Sequence, residues 1–438
     1  MKVGPAFLQT FVSQVIQSAA SIATGILVAR TLGPAGQGQY AVLVAAVGLL
    51  STLACIGQFE GNVLNSAGER SRGRILLLRS LLQALAAVVV LALSEGLWRR
   101  GLGLEGDRVL TTLFLLLLTC EVLALLFRGI NLGQHEVTAY NVSTLVQRIA
   151  FLVGVAAFLV VHEARLKTVL IAWLGAVALA VSTTGVWIWR RSGSAVVSWA
   201  AVREGWSLSL KRGMRALLTI GLTLVLLRTD VYMLGPMLGA NAVGQVSVAS
   251  TFAEYLWYIP SILGSVLFAA VAASRGPRTV GKICLASRTT VALLTPIALA
   301  LVLVGPGLVP AVYGAAYAQA GTIFLLLLPG MFAISLHLVI DSYFAGSGYP
   351  PISYLATGAA LVLKVALNLA LVPSKGIAGA AVATSIVYAA LLTAKVVAFS
   401  RETGTDFTSL FRPTLSDVAN NLLVARSWLR GGAHSVTG

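Results

Sequence analysis

Twelve apolar runs follow one another along the chain. In the first half they fall at 6–29, 40–66, 75–97, 109–132, 139–161 and 168–189, and in the second at 213–236, 243–273, 284–305, 319–343, 351–372 and 376–399. Charges, Gly or Pro bound each run. An apolar run of about 20 residues wound as helix crosses the hydrocarbon core of a bilayer. Long stretches of period-two alternation, the mark of a spanning β-barrel, are missing. In lipid each span must satisfy its own backbone, which a helix does. The pattern therefore predicts an all-α polytopic membrane protein with 12 transmembrane helices. The first run is too long for a cleaved leader and further spans follow it, so it reads as the first span.

The order of short polar breaks adds a second layer. "LGPAGQGQY" (32–40) and "LGANAVGQV" (238–246) match at Leu, Gly and Gly-Gln with a constant offset of 206 residues. Each copy follows the first span of a six-span half and opens the second. A weaker echo links "NLGQHEVTAYNVSTLVQR" (131–148) to "AGSGYPPISYLATGAALVLK" (345–364), both ending on a cation. Gly33 and Gly38 supply backbone freedom at the turn, and Pro34 helps stop the first helix. The repeat predicts two pseudo-symmetric six-helix bundles. Six is even, so both halves run the same way, as parallel repeats with a site between them. The expected boundaries are 1–190 for the N-terminal bundle, 191–211 for a cytoplasmic linker, 212–400 for the C-terminal bundle and 401–438 for a cytoplasmic tail.

Composition agrees with the pattern. Of 438 residues 58% are hydrophobic and 11% charged, with mean hydropathy +0.89. Soluble domains carry about 25% charged residues. The formal net charge of +16 would suggest nucleic acid in a soluble protein. Here twelve spans with a cytoplasmic start put 17 basic residues inside and 7 outside. Basic residues favour the cytoplasmic side. The surplus is therefore an orientation signal with both termini cytoplasmic, and nucleic acid is not an expected partner. Cys55, Cys120 and Cys284 lie in or beside apolar helices and read as small core residues.

At this point the chain resembles a known family. "ARTLGPAGQGQYAVL" (29–43) and "LRTDVYMLGPMLGANAVGQVSVAS" (227–250) are similar to the bacterial polysaccharide-lipid flippases. These form the oligosaccharide (O-antigen type) branch of the multidrug/oligosaccharidyl-lipid/polysaccharide (MOP) exporter superfamily, which also holds the MATE multidrug extruders. The resemblance covers about 5–400. It implies a MATE-like pair of bundles around a central cleft, alternating access, and a polyprenyl-diphosphate-linked oligosaccharide as cargo. Other polysaccharide assembly proteins are possible partners beside the lipid bilayer. The resemblance is weaker to the lipid II flippases, whose pattern usually has about fourteen helices.

Ionisable groups inside a bilayer are costly and mark sites or internal pairs. Arg148 and Lys364 lie halfway along the repeat-related fifth and eleventh spans. A pseudo-two-fold would set them across one cavity, with Arg128 and Arg228 adding to the same field. Arginine suits phosphate because its planar fork binds two oxygens. Nearby acids are Glu60, Glu121, Asp230 and Glu254, and each charge has an alternative role bracing helix against helix. Glu121 and Arg128 are seven apart and share a face. Arg79 and Lys395, near span ends, are expected to snorkel. His337 and Asp341 are four apart and could couple a proton, although a solvated helix end competes with that reading. Pro260, Pro296 and Pro329 lie inside second-half spans, which predicts the more deformable bundle there. "GPRTVGKI" (276–283) imitates a phosphate loop but has Ile283 where Ser or Thr belongs and no strand before it. "GLGLEG" (101–106) imitates a dinucleotide turn without a βαβ unit. No cofactor, metal or enzyme site emerges. A small-drug extruder and a membrane glycan polymerase or ligase are the competing functions. Arg148 and Lys364 speak against cationic drugs, and the short outside loops against an enzyme. In the tail, Leu415, Val418, Leu422, Ala425 and Leu429 follow helical spacing, which suits an amphipathic helix on the membrane surface.

Overall fold

The computed structural model describes residues 3–65, 73–161, 165–192, 199–274 and 276–412. Among these there is no strand. Apart from short 3₁₀ turns, the order is α1 (Val3–Ala54), α2 (Gln58–Asn65), α3 (Gly73–Leu93), α4 (Glu95–Trp98), α5 (Arg108–Gly133), α6 (Val137–Val160) and α7 (Leu166–Arg191). There follow α8 (Trp199–Leu238), α9 (Ala240–Glu254), α10 (Tyr258–Ala273), α11 (Pro277–Tyr313), α12 (Ala318–Gly346), α13 (Pro351–Thr403) and α14 (Phe407–Phe411). Among the described residues, nine helices are long and apolar enough to cross a membrane. Two of those nine are each a pair of helices joined across a glycine: α1 at Gly33 and α13 at Gly376. The all-α polytopic fold is thus as the pattern predicts. The expected eighth span (243–273) is instead interrupted, α9 and α10 being separated by a 3₁₀ turn at Tyr255–Trp257. Pro260 therefore sits in the first turn of α10, where its missing N–H costs little. It is not the mid-helix proline that the pattern suggests.

The described residues fall into two compact units, one within Met1–Ser247 with Val312–Ala316, the other within Val248–Ala311 with Tyr317–Gly438. In unit 1, α6 packs on α1 and α7, α5 on α2, α3 and α7, and α8 on α1 and α2. Its core joins Val28 and Leu43 of α1, Phe114 and Leu117 of α5, Phe151 of α6 and Trp173 and Val177 of α7. Residues 312–316 belong to this unit. The Val312 carbonyl accepts from Arg30 Nε at 2.8 Å and the Ala316 carbonyl from Gln245 Nε2 at 2.7 Å.

The repeated turn has a packing role. Gly33 has φ 63° and ψ 176°, and its mate Gly239 has φ 85°. Gly38 does not use such angles; it is needed for close approach. A Cβ there would run into the Ala240 carbonyl, 3.0 Å from the Gly244 nitrogen. A Cβ on Gly244 would in turn run into the Pro34 carbonyl. Pro34 and Ala240, like Gly38 and Gly244, are related by the 206-residue offset. Each copy of the turn thus presents a glycine to the backbone of the other, the reciprocal contact of a two-fold interface. Small residues let helices approach this way in membranes.

In unit 2, α12 is the central helix. Its most apolar window is 72% buried, against 11% for α11, and it packs on α10 and α13. Its core includes Val339, Tyr343 and Phe344 with Leu267, Val396 and Phe399. The weaker repeat also has a structural counterpart. Glu136 N–H donates to the Asn131 carbonyl after α5, and Tyr349 N–H to the Phe344 carbonyl after α12. His135 (φ 60°) and Gly348 (φ 85°) are the left-handed residues these helix ends require. The phosphate-loop mimic opens α11, and "GLGLEG" lies in the α4–α5 connection. The predicted tail helix at 415–429 lies outside the described residues.

Candidate functional site

Unit 1 holds a half-open cavity of about 380 Å³. The second leg of α1 gives it Tyr40, Val44, Val47 and Ser51, whose spacing puts them on one helical face. α5 contributes Glu121, Leu125 and Arg128, on one stripe, and α6 Gln147, Arg148 and Phe151. Trp173 of α7 and Leu224 of α8 complete the wall.

The polar groups are organised around Gln147, which is buried. Its Nε2 donates to Glu121 Oε1 at 2.8 Å, and its Oε1 accepts from Arg128 Nη2. Trp173 Nε1 donates to the same Glu121 oxygen at 2.9 Å. The carboxylate is therefore held by two uncharged N–H donors. It makes no ion pair with Arg128 or Arg148. Arg128 Nε is buried without a hydrogen-bond partner, and Arg148 makes no ion pair among the described residues. The Trp173 ring is braced by Tyr40 and Phe151, with centroids at 6.2 and 6.3 Å. Two guanidinium groups face one carboxylate that is already occupied, which leaves a cationic, aromatic-walled recess. Planar guanidinium groups with open donors suit phosphate oxygens.

The structure brings together Arg148, Arg128 and Glu121 of the residues singled out from sequence. Arg228, half-buried on α8, lies one turn beyond Leu224 and on its face. Asp230 is buried on the same helix. Glu60 falls on α2 and Glu254 closes α9. Lys364 is not among the side chains lining this cavity. It lies on α13 in unit 2, fully buried, with Nζ 5.2 Å from the Tyr388 ring centroid. Gln147, Tyr40 and Trp173 escape a reading based on charge. The one signal for Gln147 is a second polar group beside Arg148 in an apolar run.

Three expectations at span ends are corrected. Lys395 does not snorkel: it is fully buried, its Nζ 2.6 Å from Asp341 Oδ1 and 4.7 Å from the Phe344 ring centroid. Arg79 is 2% exposed and donates from Nη2 to Gln58 Oε1 at 2.7 Å. Neighbouring helices cover both stems: Lys395 meets the Asp341 carboxylate and Arg79 the Gln58 amide oxygen. His337 and Asp341 do not form a solvated helix end either. His337 is 4% exposed, its Nδ1 has no hydrogen-bond partner, and the partner of Asp341 is Lys395.

Residues 6–272 match the family described as "Polysaccharide biosynthesis protein". The chain belongs to that family. Its fold is similar to that of the lipid II flippase MurJ in an inward closed conformation, with TM-score 0.71, 12% identity, and coverage of 98% of this chain and 93% of that one. It is similar also to an inward-facing multidrug resistance MATE transporter of the MOP superfamily (TM-score 0.70, 16% identity, 91% of this chain and 98% of that one). A third similar structure is a MOP superfamily transporter from Pyrococcus furiosus Vc1, described by a reverse polarity of its binding pocket (TM-score 0.63, 15% identity, 91% and 94%). No curated protein sequence matches at a significant level. This member of the polysaccharide biosynthesis protein family is therefore a multi-pass membrane protein with the MurJ/MATE fold. The lipid II flippase and the multidrug transporter match almost equally well, so fold does not select between their cargoes.

Proposed function

We propose that the chain flips a polyprenyl-diphosphate-linked oligosaccharide from the inner to the outer leaflet of the cytoplasmic membrane, by alternating access, during polysaccharide assembly. The observation that supports this most directly is the cavity in unit 1, where Arg148 makes no ion pair among the described residues and Arg128 keeps a buried N–H open. At about 380 Å³ it is the size of a small-molecule site, which run to about 300–1,000 Å³. It suits a diphosphate and the first sugar, with the remaining glycan outside it and the lipid tail in the bilayer. Arg148 recognises phosphate, Arg128 supports it, and Tyr40 and Trp173 offer faces for a sugar. Arg228, a turn away, adds to the same field. Two guanidinium groups disfavour a cationic drug.

The test is flipping of defined polyprenyl-diphosphate glycans in proteoliposomes. Arg148→Gln is expected to slow flipping about 10- to 100-fold, the weight of a charged hydrogen bond of about 1.5–3 kcal/mol. Arg148→Lys should recover part of it. Unaltered flipping in Arg148→Gln/Arg128→Gln would remove the cavity from the cargo path.

A further inference from the structure

A second recess lies in unit 1, away from the first. It measures about 590 Å³ and runs between α3 and α7, with Phe127 of α5 as floor. Arg74, Leu77, Leu78 and Leu81 line it from α3, at the spacing of a single helical stripe. Gly185, Val186, Trp189 and Arg190 line it from α7. Gly185 keeps the floor in place, since a Cβ there would stand 3.1 Å from Phe127 Cε2. The polarity of the recess is graded: apolar along its length, with both cations at one end. Arg74 opens α3 and Arg190 closes α7.

Among the described residues those two cations are not committed elsewhere. Arg191 is, pairing with Glu136 at 2.7 Å and lying 4.4 Å from the Trp187 ring centroid. Arg74 and Arg190 make no ion pair among the described residues. The Arg74 guanidinium lies 4.6 Å from the Trp189 ring centroid, and its Nε is buried without a hydrogen-bond partner. An aromatic ring beside a cation at a span end is the arrangement of a membrane–water interface. Basic pockets between spans at that level hold anionic headgroups.

We propose that this recess binds one anionic phospholipid, its phosphate on Arg74 and Arg190 and one acyl chain on Leu78, Leu81, Phe127 and Val186. Length favours a phospholipid over a polyprenyl chain. From Arg74 to Leu81 the α3 stripe runs seven residues, about 10 Å at helical rise. One leaflet of hydrocarbon is about 15 Å deep. The recess is thus confined to a single leaflet. By the basic-residue bias this is the cytoplasmic one.

Trp189 reports on the site. The full chain is placed in nanodiscs containing tail-brominated phosphatidylglycerol or phosphatidylcholine at equal mole fraction. The Trp189 signal is taken as the difference from Trp189→Phe. Bromine near the ring quenches it. Stronger quenching by the anionic lipid is expected, equivalent to about a fivefold preference for each arginine. Arg74→Gln/Arg190→Gln should abolish the preference while retaining quenching. Val186→Phe, filling the groove but leaving both charges, should weaken quenching by either lipid. Equal quenching by the two lipids in the native chain overturns the proposal, as does a preference that survives loss of both arginines. Displacement of the brominated lipid by polyprenyl diphosphate at equal mole fraction, or by soluble glycerol phosphate, would mean a different occupant and also overturns it. Neither variant touches the cargo cavity, so flipping in vesicles of zwitterionic lipid stays as a separate readout of the transport reading.

Discussion

At the residue scale, the useful distinction is between charges that are met and charges that are open. Asp341 and Lys395 form a met pair. Lys395 is fully buried and the Asp341 side chain is 24% exposed. Removing one partner leaves the other charge stranded. Asp341→Asn is therefore expected to destabilise the folded protein by about 3 kcal/mol, the lower end for a broken buried pair. Asp341→Asn/Lys395→Met should restore most of that loss. Thermal unfolding in detergent checks both, and a single variant as stable as the parent would show the pair to be inert. Glycines give a second residue-scale case. The φ and ψ of Gly33 fall in a region essentially closed to residues with a Cβ, so Gly33→Ala should cost about 1–3 kcal/mol by the same measurement. Gly38→Ala acts differently, pushing the two repeated turns apart; its cost is that of overpacking, about 1–3 kcal/mol. These two glycines share one motif and are unlike in mechanism, which composition alone does not reveal.

At the scale of elements, helix α5 shows how an end is held. Asp107 caps it, Oδ1 accepting from Leu110 N–H at 3.0 Å, and Lys167 lies 2.7 Å from its other oxygen. The hydrogen bond with Lys167, then that from the Leu110 amide, hold this carboxyl below its ordinary value of 3.8. A depressed native pKa stabilises above the unfolded value and is lost as pH falls through the native one. The Asp107→Asn variant should therefore melt slightly below the parent at pH 7, with the gap closing below about pH 3.8. A gap independent of pH would show that the Asp107 charge is not its cause. The apolar runs made most elements legible, because in lipid a long uncharged run has one stable structure. The α9–α10 break was not legible, since Tyr255–Tyr258 is as apolar as a helix and the 3₁₀ turn there depends on local packing. The candidate site is half legible in the sequence. Charge marks Glu121, Arg128 and Arg148, while Gln147 and Trp173, which donate to Glu121, are set by how α5, α6 and α7 face one another. Arg79 and Lys395 defy an expectation drawn from position, because distance to a span end does not reveal whether a neighbouring helix covers the stem.

For the molecule as a whole, the distribution of prolines separates the two units. In unit 2, α11 carries Pro296 and α12 carries Pro329 inside long apolar helices, and α13 carries Pro373 close to its glycine kink. In unit 1, Pro34 stands beside the kink of α1 and Pro236 close to the end of α8. A proline inside a helix removes one donor and leaves a carbonyl one turn earlier without its partner. Such points bend at lower cost than the continuous helix around them. If alternating access uses that compliance, straightening α12 should slow the cycle without weakening cargo capture. Pro329→Ala is accordingly expected to raise thermal stability and lower the flipping rate, while diphosphate binding at the Arg148 cavity stays unchanged. Arg148→Gln should give the opposite pattern, with binding lost and stability kept. Measuring both quantities for both variants separates conformational cost from recognition. A Pro329→Ala protein that flips at the parental rate would show that unit 2 moves without bending α12.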